Sequence, residues 1–400
     1  MLPQNFFKNF KTNFNVIIGN PPWVSLTGKH KSLDLPEEEL EYLLKKYQSN
    51  TSMPNLYEMF IWKSLSLMEK GGFFSFIVPD RLCTNKQFIN LRKYILENFS
   101  IKELWFRVPF PKITADTVIF IIEATKKTNN IVKIIDFPTK KTETINQNVF
   151  KNTPDNLFFY IKKDFYDLFT RIKSNKNTLD LSKIVLTTSG CGAKSTEITN
   201  KKIDHRQMPI LKGESIIKYG TRYKFWFEFI SNKLSGRTKD KGKLGKKMKV
   251  LLRKTGSDLI ATYDEVGTFP EQSLYFLYTE KDNQKDLLLV LLAIINSTLM
   301  NCYYRNFAVT NRDSTPQLKN MDLDKFPIIL PKNKEILIKH VNKIISLTKR
   351  VIKIGNQMNE EREEIEGEIE KINIKIDELI YDVYNLTETE KNLVRNFKNL

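Results

Sequence analysis

The first clear apolar run, Phe14-Asn15-Val16-Ile17-Ile18-Gly19, is short and is stopped by Asn20-Pro21-Pro22. It predicts a buried strand ending at Gly19. Residues 32–47 then change to helical spacing behind a Pro and three Glu, a capped helix start. Leu56, Met59, Phe60 and Leu67 trace a second helix with a broad apolar side, and Gly71-Gly72 is read as its C-cap. Phe73 to Val78 is continuously apolar, as expected of a strand covered on both faces. Residues 85–99 return to helical spacing, and residues 101–108 and 116–124 read as two more strands. This alternation predicts an α/β sheet. Near the other end, Ile365, Ile369, Ile372, Ile376, Leu379 and Val383 recur at spacings of four and three, a heptad seam. Leu337, Val341, Ile344 and Val351 nearly repeat it. Gly355-Asn356 between them predicts an antiparallel helical pair, docked on the preceding domain or on a partner subunit. Thr387 with Glu390 forms a capping box for a last helix.

Composition narrows the class. The chain has 400 residues and is 41% hydrophobic, enough for two cores. No apolar run is long enough to span a bilayer, and the first residues lack the pattern of a signal peptide, so a cytoplasmic protein without a membrane partner is expected. Three scattered cysteines argue for a reducing interior, and three histidines without ligand spacing argue against a zinc site. The net charge is +18. A Lys-, Asn- and Ile-rich composition can raise charge by codon usage alone. The excess is clustered, however: residues 194–254 hold 18 Lys and Arg against 5 Asp and Glu. Clustered cations point to a polyanionic partner, a nucleic acid.

The candidate chemistry begins at Asn20-Pro21-Pro22-Trp23. Two prolines remove two backbone donors and fix two φ angles, which makes a rigid rim after the strand. The rim holds a carboxamide, able to donate to and accept from an amine, beside a ring able to stack on a planar base. Such a pair suits the exocyclic amine of a flipped-out adenine. A Pro-Pro turn with Trp23 as core filler is the bland reading.

With its preceding strand, this tetrapeptide resembles the catalytic motif of DNA adenine-N6 methyltransferases, in the form found in gamma-type, Eco57I-like restriction-modification methylases. Asn15 stands where an acidic residue is usual. Residues 55–82 resemble the family's helix, Gly-Gly and "IVP" strand, and residues 109–122 resemble the later motif carrying an aromatic that packs on the target base. Phe110 matches that aromatic; ordinary core packing is the bland reading. The resemblance implies that Asn20 and the Pro21 carbonyl bind the adenine amine, that Trp23 stacks on the base, and that Phe110 holds its other side. It also implies S-adenosylmethionine as methyl donor. Only 19 residues precede Asn20, too few for the family's Gly-rich cofactor turn, so the donor's site is expected largely outside this chain. Gly190 and Gly192 in "IVLTTSGCGAKS" lack the spacing of a phosphate loop and read as a loop of the second domain.

Residues 208–220, 247–278, 287–306 and 318–331 resemble, in order, a TaqI-like C-terminal target-recognition domain. Within it, residues 231–249 carry Gly236, Gly242 and Gly245 among many Lys and are expected to be a mobile, phosphate-contacting loop. The candidate DNA contacts are Lys212, Arg222, Arg253, Lys254 and Arg312, the arginines as base readers because reading needs a planar fork. Each arginine can instead serve a structural salt bridge. The expected organisation is a partial Rossmann-like methyltransferase domain at 1–125, a connector at 126–179, an α+β recognition domain at 180–332 and a helical segment at 333–400. The expected function is adenine-specific methylation in a truncated or split form, working with an N-terminal methyltransferase subunit or a restriction subunit. The alternative is a non-catalytic DNA-specificity subunit.

Overall fold

A computed structural model describes the chain apart from residues 1–12, 28–32, 48–53, 112–115, 152, 154–155, 159–162, 282, 311–315, 356–358 and 400. It forms two compact units, Met1–Lys163 and Asp164–Leu400.

The first unit is one six-stranded sheet with helices. Its elements are β1 (Phe14–Gly19), α1 (Glu37–Lys46), α2 (Leu56–Ser66), β2 (Met68–Pro79), α3 (Ile89–Asn98), β3 (Ser100–Phe106), β4 (Thr117–Glu123), β5 (Ile131–Asp136) and β6 (Lys141–Asn146). The spatial order is β1-β2-β4-β3-β5-β6. β1 runs parallel to β2 and β3 parallel to β5, while the other neighbours are antiparallel. The sheet is therefore mixed. Two strands, β5 and β6, lie in the stretch expected to be a connector. β6 was hidden because Lys141–Asn146 carries almost no apolar signal, as an outer strand with one wet face can, whereas β5, Ile-Val-Lys-Ile-Ile-Asp, carries a clear apolar signal.

The strand after α2 also differs from expectation. α2 ends at Ser66, and β2 already starts at Met68. Gly71, at φ 85°, and Gly72 lie inside that strand, where the register with β1 shifts. A Cβ on Gly72 would stand 2.8 Å from the Asn15 carbonyl oxygen. The glycines therefore make a bulge rather than a helix cap.

The central strands are buried on one face. Phe74, Phe76 and Val78 of β2 lie opposite Ile122, Phe120 and Val118 of β4, and Leu104 of β3 continues the layer. Tyr57, Ile61 and Leu65 of α2 and Leu91, Ile95 and Leu96 of α3 are buried with it. The other face is not covered in the same way. Val16 is 56% exposed, Ile18 78% and Phe73 44%. A run of apolar residues that reads as a fully buried strand thus occupies an edge of the sheet with an open face.

In the second unit, a four-stranded antiparallel sheet takes the order Ala261–Asp264, Lys249–Arg253, Leu274–Tyr278, Leu186–Ser189. A smaller sheet pairs Met208–Leu211 with Phe225–Phe227 and Phe269–Pro270. Their shared core includes Ile210, Phe227, Leu234, Leu244, Leu251 and Phe276. Leu234 and Leu244 come from the Lys-rich segment expected to be mobile. It instead forms the strand Leu234–Arg237 and the short helix Lys241–Leu244, capped by Asp240, because those two leucines reach the core between the cations.

The helix Lys285–Asn296 is buried almost throughout. Asn296 accepts from Ala261 N at 2.9 Å and donates back to Ala261 O at 3.0 Å, so its side chain docks on the strand like a further residue. No single described helix is long and apolar enough to cross a membrane.

The helices Glu335–Ile354 and Glu360–Val383 lie antiparallel, since Lys343 pairs with Glu368 and Arg350 with Glu361. Gly355, at φ 76°, ends the first. Ile365, Ile372 and Ile376 are buried in the seam, but beyond them Ile380 and Tyr381 replace Leu379 and Val383. The pair packs within this unit: the Asp377 carboxylate accepts from Thr298 N and Thr298 Oγ1, and the Tyr384 hydroxyl donates to Pro327 O at 2.9 Å. The Thr387–Glu390 capping box starts the last helix.

Candidate functional site

β1 and β2 are parallel and β3 is antiparallel to β4, so the ends of β1, β2 and β3 reach one edge of the sheet with the start of β4. The carboxyl ends of such strands are where α/β folds bind ligands. Gly19 closes β1 beneath the Phe76 ring, which would stand 3.0 Å from an added Cβ. Asn20 follows, exposed, then buried Pro21, exposed Pro22 and half-buried Trp23. The segment is pinned just beyond: Leu56 N donates to Val24 O at 2.9 Å and Leu26 N to Pro54 O at 3.0 Å. The rim is therefore rigid at both ends.

Phe110 comes from the loop between β3 and β4. Arg107, at φ 57°, starts that loop with a two-pronged contact to Asp136, Nε to Oδ1 at 2.8 Å and Nη2 to Oδ2 at 2.7 Å. Thr117 Oγ1 donates to Val108 O at 2.5 Å. These bonds hold the Phe110 ring 4.7 Å from the Trp23 ring, centre to centre, at 49°. The Trp23 Nε1 is enclosed and makes no hydrogen bond among the described residues. Trp23 and Phe110 are thus brought together, two rings able to face a planar group, with Trp23 three residues after the exposed carboxamide of Asn20.

The basic residues separate into different roles. Arg222 is exposed, with no hydrogen-bond or ion-pair partner for its guanidinium among the described residues. Lys212 pairs with Glu214 at 2.7 Å and lies 4.6 Å over the Phe225 ring. Arg253 was expected to read bases, but its fork is taken: Nε donates to Gly213 O at 2.8 Å and Nη2 to Ile216 O at 2.7 Å. It ties down the turn Lys212–Ser215, and burial lowers its pKa. Lys254 is buried against Ser189 Oγ and lies 4.4 Å over the Tyr275 ring. Burial, with Arg237 nearby, pushes its pKa down to about 8. Arg312 lies outside the described residues.

One cation that the sequence marked only as part of a basic run has a fixed structural place. Lys249 is fully buried, pairs with Asp264 at 3.1 Å and donates to Leu244 O and Lys246 O, each at 2.8 Å. Burial lowers its pKa, against the pull of Asp264. Its position one residue before the apolar strand Val250-Leu251-Leu252 was the available signal. The described residues contain no cluster of His, Cys, Asp and Glu able to hold a metal ion.

Two stretches of the chain match known families. Residues 2–107 match the family model described as Eco57I restriction-modification methylase, and residues 208–328 match the TaqI-like C-terminal specificity domain. A putative type II restriction enzyme and methyltransferase of Methanocaldococcus jannaschii is 25% identical over 93% of this chain and 31% of its own length. The type II restriction enzyme and methyltransferase Eco57I of Escherichia coli is 27% identical over 40% of this chain and 13% of its own length. The chain spans less than a third of either curated relative. Among solved structures, the type IIL restriction-modification enzyme MmeI, in complex with DNA, aligns with a TM-score of 0.58 over 96% of this chain and 57% of its own, at 13% identity. That likeness is one of fold. Residues 2–107 are an Eco57I-like restriction-modification methylase domain and residues 208–328 are a TaqI-like C-terminal specificity domain, and the relatives that share them are type II restriction-modification methyltransferases.

Proposed function

We propose that this chain is the target-base and DNA-reading part of a site-specific adenine-N6 DNA methyltransferase of a restriction-modification system. The observation that carries the reading is the place of Asn20: an exposed carboxamide at the carboxyl end of β1, held on a Pro-Pro rim beside the Trp23–Phe110 ring pair.

The chemistry follows from what an adenine amine lacks. Its lone pair is delocalised into the ring and is a poor nucleophile. Hydrogen bonds from N6 to the Asn20 side-chain oxygen and to the Pro21 carbonyl draw the nitrogen towards tetrahedral geometry and localise that pair. No strong base is required, because the proton leaves after methylation. Positioning and electrostatics supply the rate. Extruding the base costs a few kcal/mol, offset in part by stacking on Trp23 and Phe110.

S-adenosylmethionine is the donor this reading calls for; it brings an electrophilic methyl on a sulfonium. The Gly190–Gly192 stretch does not fit it. Gly190 and Gly192 lead from one strand into another, not into a helix, and backbone atoms fill the space over both. We assign the donor's site largely to polypeptide outside this chain, a preceding segment or an N-terminal subunit. The open edge and face at Val16 and Ile18 support that assignment.

The test is methylation of plasmid DNA by the chain combined with the polypeptide encoded immediately upstream, using a tritiated methyl donor and mass spectrometry of the nucleosides. The combination is expected to form N6-methyladenine, the chain alone little, and Asn20→Ala none. A cytosine product, or unchanged methylation by Asn20→Ala, overturns the reading. The second of these outcomes would favour a non-catalytic specificity subunit.

A further inference from the structure

The strand Leu234–Arg237 pairs with Cys191–Ala193 in an uneven register: Leu234 lies opposite Ala193, and Arg237 opposite Cys191. One strand advances three residues while the other advances two, which is a β-bulge at Ser235-Gly236. Gly236 has φ 134°, and Arg237 is in the left-handed region at φ 62°. L side chains avoid that region, and non-glycine residues held there cluster at functional sites.

The surroundings are built to hold this bulge. A Cβ on Gly192 would stand 2.6 Å from the Gly236 carbonyl oxygen, and one on Gly190 would stand 2.3 Å from the Glu271 carbonyl oxygen. Ser235 Oγ donates to Gly192 O at 2.9 Å and Thr238 Oγ1 to Ser189 O at 2.6 Å, fixing both flanks. The Gly-Cys-Gly sequence, which lacks the spacing of a phosphate loop, is the seat of the bulge.

The bulge leaves Arg237 exposed, with no hydrogen-bond or ion-pair partner for its guanidinium among the described residues. Lys254 lies close enough for the two cations to repel. Glu271 is the nearby counter-charge, and its carboxylate already accepts from Ser273 N and Ser273 Oγ.

We propose that Arg237 is a base-reading side chain of the specificity domain, presenting its guanidinium to a pair of acceptors on a base edge, guanine O6 and N7. The inference rests on the DNA-binding reading above. Five nearby lysines, 239, 241, 243, 246 and 247, can neutralise phosphates without a preset backbone. A strained, braced backbone under one planar fork suits directional recognition instead.

The test is selection from a pool of random-sequence duplexes by the full chain, its Arg237→Gly and Arg237→Lys variants, and Lys239→Ala. Arg237→Gly suits the local φ, so its melting temperature is expected to be no lower than that of the parent. It should bind the unselected pool within about threefold, yet lose roughly tenfold or more of the preference for guanine at one position. Arg237→Lys should not restore it. Lys239→Ala should weaken all duplexes evenly and shallow the salt dependence by about one unit. An unchanged selected motif in Arg237→Gly, or an even loss across sequences, overturns the assignment. Absence of any duplex binding by the parent chain overturns the DNA-binding reading itself, and Arg237 with it.

Discussion

The rings of Trp23 and Phe110 rest against each other, 4.7 Å apart between centres. A base between two rings needs about 3.5 Å on each side, so entry of an adenine between them requires the pair to part. Trp23 fluorescence is therefore expected to change on adding duplexes with a mismatched, easily extruded adenine. Subtracting the signal of Trp23→Phe isolates it from the other three tryptophans. Phe110→Ala should weaken the preference for the mismatched duplex about 5- to 100-fold, the span of one stacking partner. Equal fluorescence with matched and mismatched DNA would remove these rings from the base site.

Lys254 makes stability depend on pH. Its folded pKa of about 8 lies below the ordinary 10.5, so between these values the unfolded chain holds a proton that the folded chain has released. Stability from this group therefore rises with pH across that window, and the burial penalty is fully present below it. The unfolding free energy of the parent, taken relative to that of Lys254→Met, should rise from pH 8 to pH 10.5. A flat difference in urea unfolding would show that Lys254 titrates normally.

Asp264 neutralises the fully buried ammonium of Lys249. Asp264→Ala strands that charge and also removes the acceptor for Val266 N and Thr268 N. Breaking one side of a buried pair costs about 3–5 kcal/mol. Lys249→Met, which removes the charge itself, is expected to cost less. Chemical denaturation that ranks the two variants the other way would mean the pair is not buried in solution.

Two glycines predict opposite signs. Gly190→Ala sets a Cβ against the backbone of Pro270 and Glu271 and should destabilise by roughly 2 kcal/mol or more. Gly367 lies inside the helix Glu360–Val383 with nothing within 4 Å of an added Cβ. Gly367→Ala should stabilise by about 0.5–1 kcal/mol. Thermal melts of the two variants check both.

What could be read from the sequence was set by local repetition. β1 with its Asn-Pro-Pro-Trp end, the Ile365–Ile376 seam and the Thr387–Glu390 box are each written in neighbouring residues, and each appears where expected. Other features depend on partners far along the chain. β5 and β6 are strands because β3 offers them an edge, not because Lys141–Asn146 looks like one. The Lys-rich stretch is ordered by only two leucines, 234 and 244, a signal diluted by the cations around it. Arg253 resembled a base reader by residue type, but its fork closes on Gly213 and Ile216, about forty residues earlier. Charge identifies a residue's capability; only the fold decides what it meets.

The exposed Val16 and Ile18 on an edge strand carry a consequence for the chain handled by itself. Bare apolar edges invite pairing with any available strand, so the isolated chain is expected to self-associate as its concentration rises.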